Sequence, residues 1–90
     1  MGEAKLQSKI IKDLQKEKWL PIKVKLCNMN GWPDVTAYKN GKTVFIEVKD
    51  EGKEADPLQK HVHALLRNQG FNVFVVDTWE KYIGIKHNYL

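Results

Sequence analysis

The dipeptide Asn40-Gly41 stands between two stretches of strand-forming residues, Asp34 to Lys39 and Thr43 to Lys49. Asn-Gly is a strong hairpin signal, because a type I′ turn needs positive φ at both of its central positions. The two stretches are therefore expected to pair as antiparallel strands, and the turn also sets their register. If Lys39 faces Lys42, counting back along both strands puts Asp34 directly opposite Glu47. On the second strand Val44, Ile46 and Val48 share one face, while Phe45, Glu47 and Lys49 share the other.

The remaining segments fall into place around this hairpin. Leu6, Ile10, Ile11 and Leu14 recur at helical spacing, which predicts an amphipathic helix from about Glu3 to Lys18. Pro21 bars its continuation. Ile22, Val24 and Leu26 alternate with lysines as a half-buried strand would, and Asn28 to Pro33 has loop composition. Asp56-Pro57 is expected to cap a second helix with the stripe Leu58, Val62, Leu65 and Leu66, and Gly70 sits at its C-terminal end. Phe71 to Val76 is the most apolar run and is predicted as the central strand. Thr78 to Leu90 is read as a short helix or turn followed by a strand. The order α-β-β-β-α-β plus a C-terminal tail implies an α/β fold with a mixed β-sheet flanked by helices.

Ninety residues fit one small domain, expected to span residues 1–90, with a thin core. No apolar run approaches the ~20 residues of a membrane helix, and residues 1–14 carry charge with no signal-peptide block. The lone Cys27 excludes an internal disulfide and a Cys-based zinc site, and is expected to fill apolar space. A cytosolic domain is expected. Fifteen basic against eleven acidic residues give a net charge of +4. Arg67 is the only arginine among them. Lysines suit phosphate contact, whereas bidentate reading of bases falls to arginine, so any nucleic-acid partner is expected to be recognised by backbone or shape. The structural alternative is a mildly basic surface that serves solubility.

Asp34 and Glu47 form the specific feature. Opposed residues on paired strands have Cβ atoms roughly 4.5–5.5 Å apart, where two carboxylates repel unless a cation lies between them. Mg²⁺ accepts one or two carboxylates together with water and substrate phosphate. Lys49, on the same face as Glu47, is placed to orient or deprotonate an attacking water or to steady phosphate charge. Singly, a strand-start Asp caps turns and a Glu-x-Lys decorates a solvated face. On a helical wheel Glu3 falls with Ile10 and Leu14, where a carboxylate needs a partner, although an acid in a first turn also suits the helix dipole. Asp50, Glu51, Glu54 and Asp56 suggest a solvated, mobile loop, or alternatively one that shapes substrate entry. His61 and His63 are expected at the surface, with the same side as Gln59 an open alternative for His63.

Gly31-Trp32-Pro33-Asp34, Phe45-Ile46-Glu47-Val48-Lys49 and Gln59 together resemble the PD-(D/E)xK nuclease pattern. More narrowly, the chain resembles the virus-type replication-repair nuclease (VRR-NUC) domain in its stand-alone phage form. That domain's G-x-P-D loop, I-E-x-K strand and P-L-Q-K helix start match Gly31 to Asp34, Ile46 to Lys49 and Pro57 to Lys60, and the likeness runs from Glu3 to about Val76. The resemblance implies a restriction-endonuclease-like core. It also implies that Mg²⁺ or Mn²⁺ is held by Asp34, Glu47 and the Val48 carbonyl, with Lys49 serving the attacking water. Glu3 fills the place of a family glutamate near the first helix start and is a further candidate metal ligand. Gln59 orients or contacts substrate in this reading.

The expected function is metal-dependent DNA endonuclease action, selective for branched DNA such as four-way (Holliday) junctions, in the cytoplasm, that of a bacterial host if the chain is phage-encoded. The alternatives are a non-catalytic basic nucleic-acid-binding module or a small subunit of a replication or repair assembly. Candidate DNA contacts are Lys5, Lys9, Lys53 and Lys60, on branched or duplex DNA. A homodimer is expected, as in stand-alone phage members of the family, with Trp79, Tyr82, Ile83, Ile85, Tyr89 and Leu90 as interface material.

Overall fold

In the computed structural model, which describes residues 1–90, Leu6, Gln7, Ile10 and Leu14 form the buried stripe of α1 (Glu3–Lys16). The helix stops two residues earlier than its pattern suggested. Lys18 takes φ 69°, and the Trp19 amide returns 2.9 Å to the Leu14 carbonyl, so the chain reverses and buries Trp19. Strand β1 (Leu20–Lys23) starts at once, earlier than the expected Ile22–Leu26 strand. It carries Pro21, which a sheet tolerates on an edge strand. Leu26 lies beyond it and is 93% exposed.

Asn40 and Gly41, at φ 51° and 76°, join β2 (Val35–Lys39) to β3 (Lys42–Val48). The register pairs Lys39 with Lys42 and Val35 with Ile46, which continues to Asp34 opposite Glu47. The Asp56 carboxylate and the Gln59 amide oxygen each accept the other residue's backbone N–H at 2.9 Å, a reciprocal cap that starts α2 (Pro57–Asn68). Helix α2 crosses back to β4 (Asn72–Val76), which pairs parallel with β3, and α3 (Trp79–Tyr89) closes the chain.

The sheet order is β1-β2-β3-β4, so the apolar run expected at its centre lies at an edge. Helices on both faces cover β4, and a strand covered on both sides becomes apolar wherever it stands in the order. The tail is a helix with no strand. Its Tyr82, Trp79, Ile83, Ile85 and Leu90 pack with α1 and with Val44, Ile46 and Val48 on one sheet face. On the other face Phe45 and Val73 meet Val62 and Leu66 of α2. Of the expected α2 stripe Val62 and Leu66 are buried, together with His63, whereas Leu58 and Leu65 are exposed.

Candidate functional site

The face of the sheet under α2 carries Asp34 and Glu47. Asp34 follows the Gly31–Pro33 loop, where Gly31 adopts φ +86° and a Cβ would come within 3.1 Å of the Leu58 carbonyl. The loop therefore presses against the start of α2, and only glycine allows that approach. Trp32 packs edge-to-face on Phe45, with ring centroids 5.6 Å apart. The Asp34 carboxylate accepts the Val48 amide N–H at 2.8 Å, which holds the head of one strand to the end of the other.

Glu47 is 1% exposed. The His63 Nε2 lies 3.2 Å from its Oε1, and the Gln59 amide donates to its Oε2 at 3.4 Å. Burial pushes its carboxyl up to about 9, helped by the hydrogen bond and charge of Asp34 and by the charge of Glu3, and opposed by Lys49. Burial and the neighbouring acid thus favour the protonated form of Glu47 at neutral pH. Burial also pushes His63 down, with Arg67 and Lys49 adding to the shift. The His63–Glu47 contact is therefore a hydrogen bond to a neutral ring, not an ion pair.

Lys49 is half-buried at the end of the β3 face, with its amide bonded to the Val76 carbonyl at 2.9 Å. Glu3 is half-buried, and its amide donates to the Asp50 carboxylate at 2.8 Å. Its charge reaches Glu47, yet no three His, Cys, Asp or Glu side chains converge as a ready-made metal cluster. The donors that do meet are the carboxyls of Asp34 and Glu47, hard oxygens of the kind that Mg²⁺ or Mn²⁺ takes. Gln59 serves twice, in the helix cap and against Glu47.

The candidate DNA-contact lysines divide. Lys5 and Lys9 are exposed on α1, and the Lys9 ammonium lies 4.1 Å from the Trp79 ring centroid. Lys53 and Lys60 stand on the α2 side, with Lys60 3.2 Å from Glu54. The acidic loop is exposed but anchored over its first three residues, by the Glu3 amide to the Asp50 carboxylate and by the Gly52 amide to the Asp77 carboxylate at 2.9 Å. Cys27 is exposed, with its thiol 3.3 Å from the Met29 carbonyl, and so fills no core space.

His63 is the residue that the sequence placed at the surface and the fold buries at the site. The signal was its spacing from Gln59, since residues four apart share one face of a helix. His61, two positions away, is exposed.

This combination defines a small α/β chain with a buried glutamate set against a half-buried aspartate at the open end of a β-hairpin. A phage protein bearing the name "Putative nuclease p44", from Acyrthosiphon pisum secondary endosymbiont phage 1, is 30% identical over 77 residues, covering 84% of this chain and 83% of that protein. A solved structure described as a VRR_NUC domain superposes with a TM-score of 0.89 at 28% identity, over 98% of this chain and 97% of that one. No family model matches the chain. The chain belongs to the VRR-NUC family of nucleases.

Proposed function

We propose that this protein is a Mg²⁺- or Mn²⁺-dependent DNA endonuclease that hydrolyses phosphodiester bonds in branched DNA such as four-way junctions. It acts as a homodimer in the bacterial cytoplasm. The observation that carries this reading is Glu47, a buried carboxyl set against Asp34 and held from the other side by Gln59 and His63. Burying a carboxyl against a second, half-buried acid costs stability, which a structural role does not require.

Asp34, Glu47 and the Val48 carbonyl would hold the ion, with Glu3 behind them. When bound, a divalent ion supplies Lewis-acid charge at the phosphate and lowers the pKa of water. Lys49 orients the attacking water and steadies the charge that develops on the phosphate. Gln59 and neutral His63 fix the two Glu47 oxygens, so the carboxylate keeps its aim as its proton leaves. Preference for shape over sequence fits a surface rich in lysine and carrying one arginine.

The test is cleavage of labelled four-way junction, duplex and single-stranded DNA by purified protein with Mg²⁺, Mn²⁺ or EDTA. Cleavage that needs the ion and favours the junction is expected. No cleavage of any of these DNAs with either ion would overturn the assignment.

A further inference from the structure

Beside the acid pair, on the β4 side, lies a cleft of about 460 Å³. Its walls bring together Lys53, Lys60, Arg67 and Lys81, and the buried His63 closes its floor. Only Glu54 and Asp77 oppose these four cations, so the four bases outnumber the acids of the cleft by two. The chain's one arginine stands here, and nothing in the acid-pair chemistry employs it.

The walls are set without a ligand. An Arg67 guanidinium nitrogen donates to the Val73 carbonyl at 2.7 Å, which fixes the planar fork while leaving other donors free. The Gly52–Asp77 hydrogen bond ties the loop that bears Lys53 to the end of β4, and Lys81 sits 3.1 Å from Asp77. The cleft also shares a wall with the acid pair. Val75 lines it and is the register partner of Glu47 on the neighbouring strand, about 4.8 Å away by strand spacing. His63 touches Glu47 on one side and the cleft on the other.

A nucleic-acid strand carries one phosphate per roughly 3.4 Å of helix axis. Because Val75 lines the cleft and pairs with Glu47 on the adjacent strand, a chain with one phosphate at Asp34 and Glu47 would carry a neighbouring phosphate towards this cleft. We infer that the cleft is a phosphodiester subsite that seats a backbone phosphate flanking the one at the acid pair. This assignment rests on the nuclease reading for its position, and on the cleft's own charge and fixed walls for its chemistry. A guanidinium fork flanked by ammonium groups suits a phosphate oxygen set and reads no base.

The experiment is binding of a labelled duplex oligonucleotide in EDTA, followed by fluorescence anisotropy across a salt series. The double variant Lys53→Ala/Lys60→Ala changes two exposed side chains and should make the slope of log K against log salt shallower by about 2. Lys53→Arg/Lys60→Arg should keep the wild-type slope. Lys42→Ala, at the far end of β3, should keep it too. Equal slopes for wild type and the double alanine variant would overturn the subsite, as would a wild type that does not bind the duplex. Inorganic phosphate perturbing the Arg67 side-chain NMR signals while the DNA slopes stay equal would reassign the cleft to free phosphate. Cleavage with Mg²⁺ is read in parallel on the same preparations. Cleavage with equal slopes removes the subsite and leaves the nuclease. Absent cleavage with the expected slope change removes the nuclease and leaves a phosphate-binding cleft.

Discussion

Glu47 holds its proton to about 9, whereas the same carboxyl in an unfolded chain loses it near 4.5. Between those values the folded state binds a proton that the unfolded state has released, so metal-free stability is fullest below the lower value and falls as pH rises through the window. Thermal unfolding in EDTA should therefore show Tm declining from pH 5 to pH 9. Glu47→Gln should flatten that decline, with roughly 4–8 °C recovered for each kcal/mol of strain removed. A wild-type Tm that is flat or rising over this range would show that the acids are not set against each other. The same proton must leave before a cation binds, so Mn²⁺ affinity by calorimetry should rise with pH, by about tenfold per unit below the upper value. Glu47→Gln and Asp34→Asn should remain folded and lose cleavage beyond the roughly 10–100-fold that loss of an outer-shell partner costs. Full activity in either variant would dismiss the site. Lys49→Ala should lose most of its rate while binding Mn²⁺ nearly as wild type does. Equal loss of metal in Lys49→Ala and Glu47→Gln would contradict that division of roles.

Helix α3 is held to α1 by a polar pin within an apolar face. The Tyr82 hydroxyl, on a fully buried ring, donates to the Asp13 carboxylate at 2.7 Å, and Lys86 approaches the same acid at 3.0 Å. Tyr82→Phe should cost about 1.5 kcal/mol, the scale of a hydrogen bond to a charged group, and should leave cleavage intact because α3 lies on the sheet face away from Glu47. Circular dichroism melting measures the loss; an unchanged Tm would mean that the pin contributes nothing. This helix was the element least legible in the sequence. Aromatic and aliphatic residues sit all around Trp79–Tyr89, so no stripe separates a helical period from a strand. The turn and register of the hairpin were legible to the residue, although each strand's bounds differ by one from those expected, because Asn40-Gly41 dictates both, and the register alone brings Asp34 to Glu47. The α2 cap was equally plain in Asp56-Pro57. Strand β1 was misplaced because the alternation of Ile22, Val24 and Leu26 with lysines looks the same on a buried strand and on an exposed edge. His63 was missed for a related reason. Its partner is an acid on another strand, and a histidine's burial depends on what the fold sets opposite it.

At 31 × 30 × 25 Å, one molecule presents a single acid pair, so cutting two strands of a junction in fixed relation requires two copies. The tail residues expected to join those copies are largely taken up by the core, since α3 packs onto the face with α1 and only Tyr89 stays well exposed. A different surface remains uncovered. Leu20, Ile22 and Tyr38 are 61%, 44% and 43% exposed around β1, and Leu26 and Met29 continue the patch beyond it. The register pairs Leu20 with Tyr38 and Ile22 with Thr36, so these side chains share the α2 side of the sheet, past the reach of α2 itself. An edge strand with exposed apolar residues favours association, and a two-fold axis, the commonest symmetry of soluble oligomers, would let one such patch meet its own copy. The β1 edge is thus the surface left open for the proposed homodimer. Light scattering at micromolar concentration should give twice the 10.5 kDa of one chain. Ile22→Glu should return the mass to one chain without touching Asp34 or Glu47, because like charges brought together at a self-complementary interface repel. That variant should still nick DNA with Mg²⁺ but lose paired cuts in a four-way junction. A wild-type mass of one chain, or paired cuts by a monomeric Ile22→Glu, would discard the two-copy mechanism and leave the acid pair as it stands.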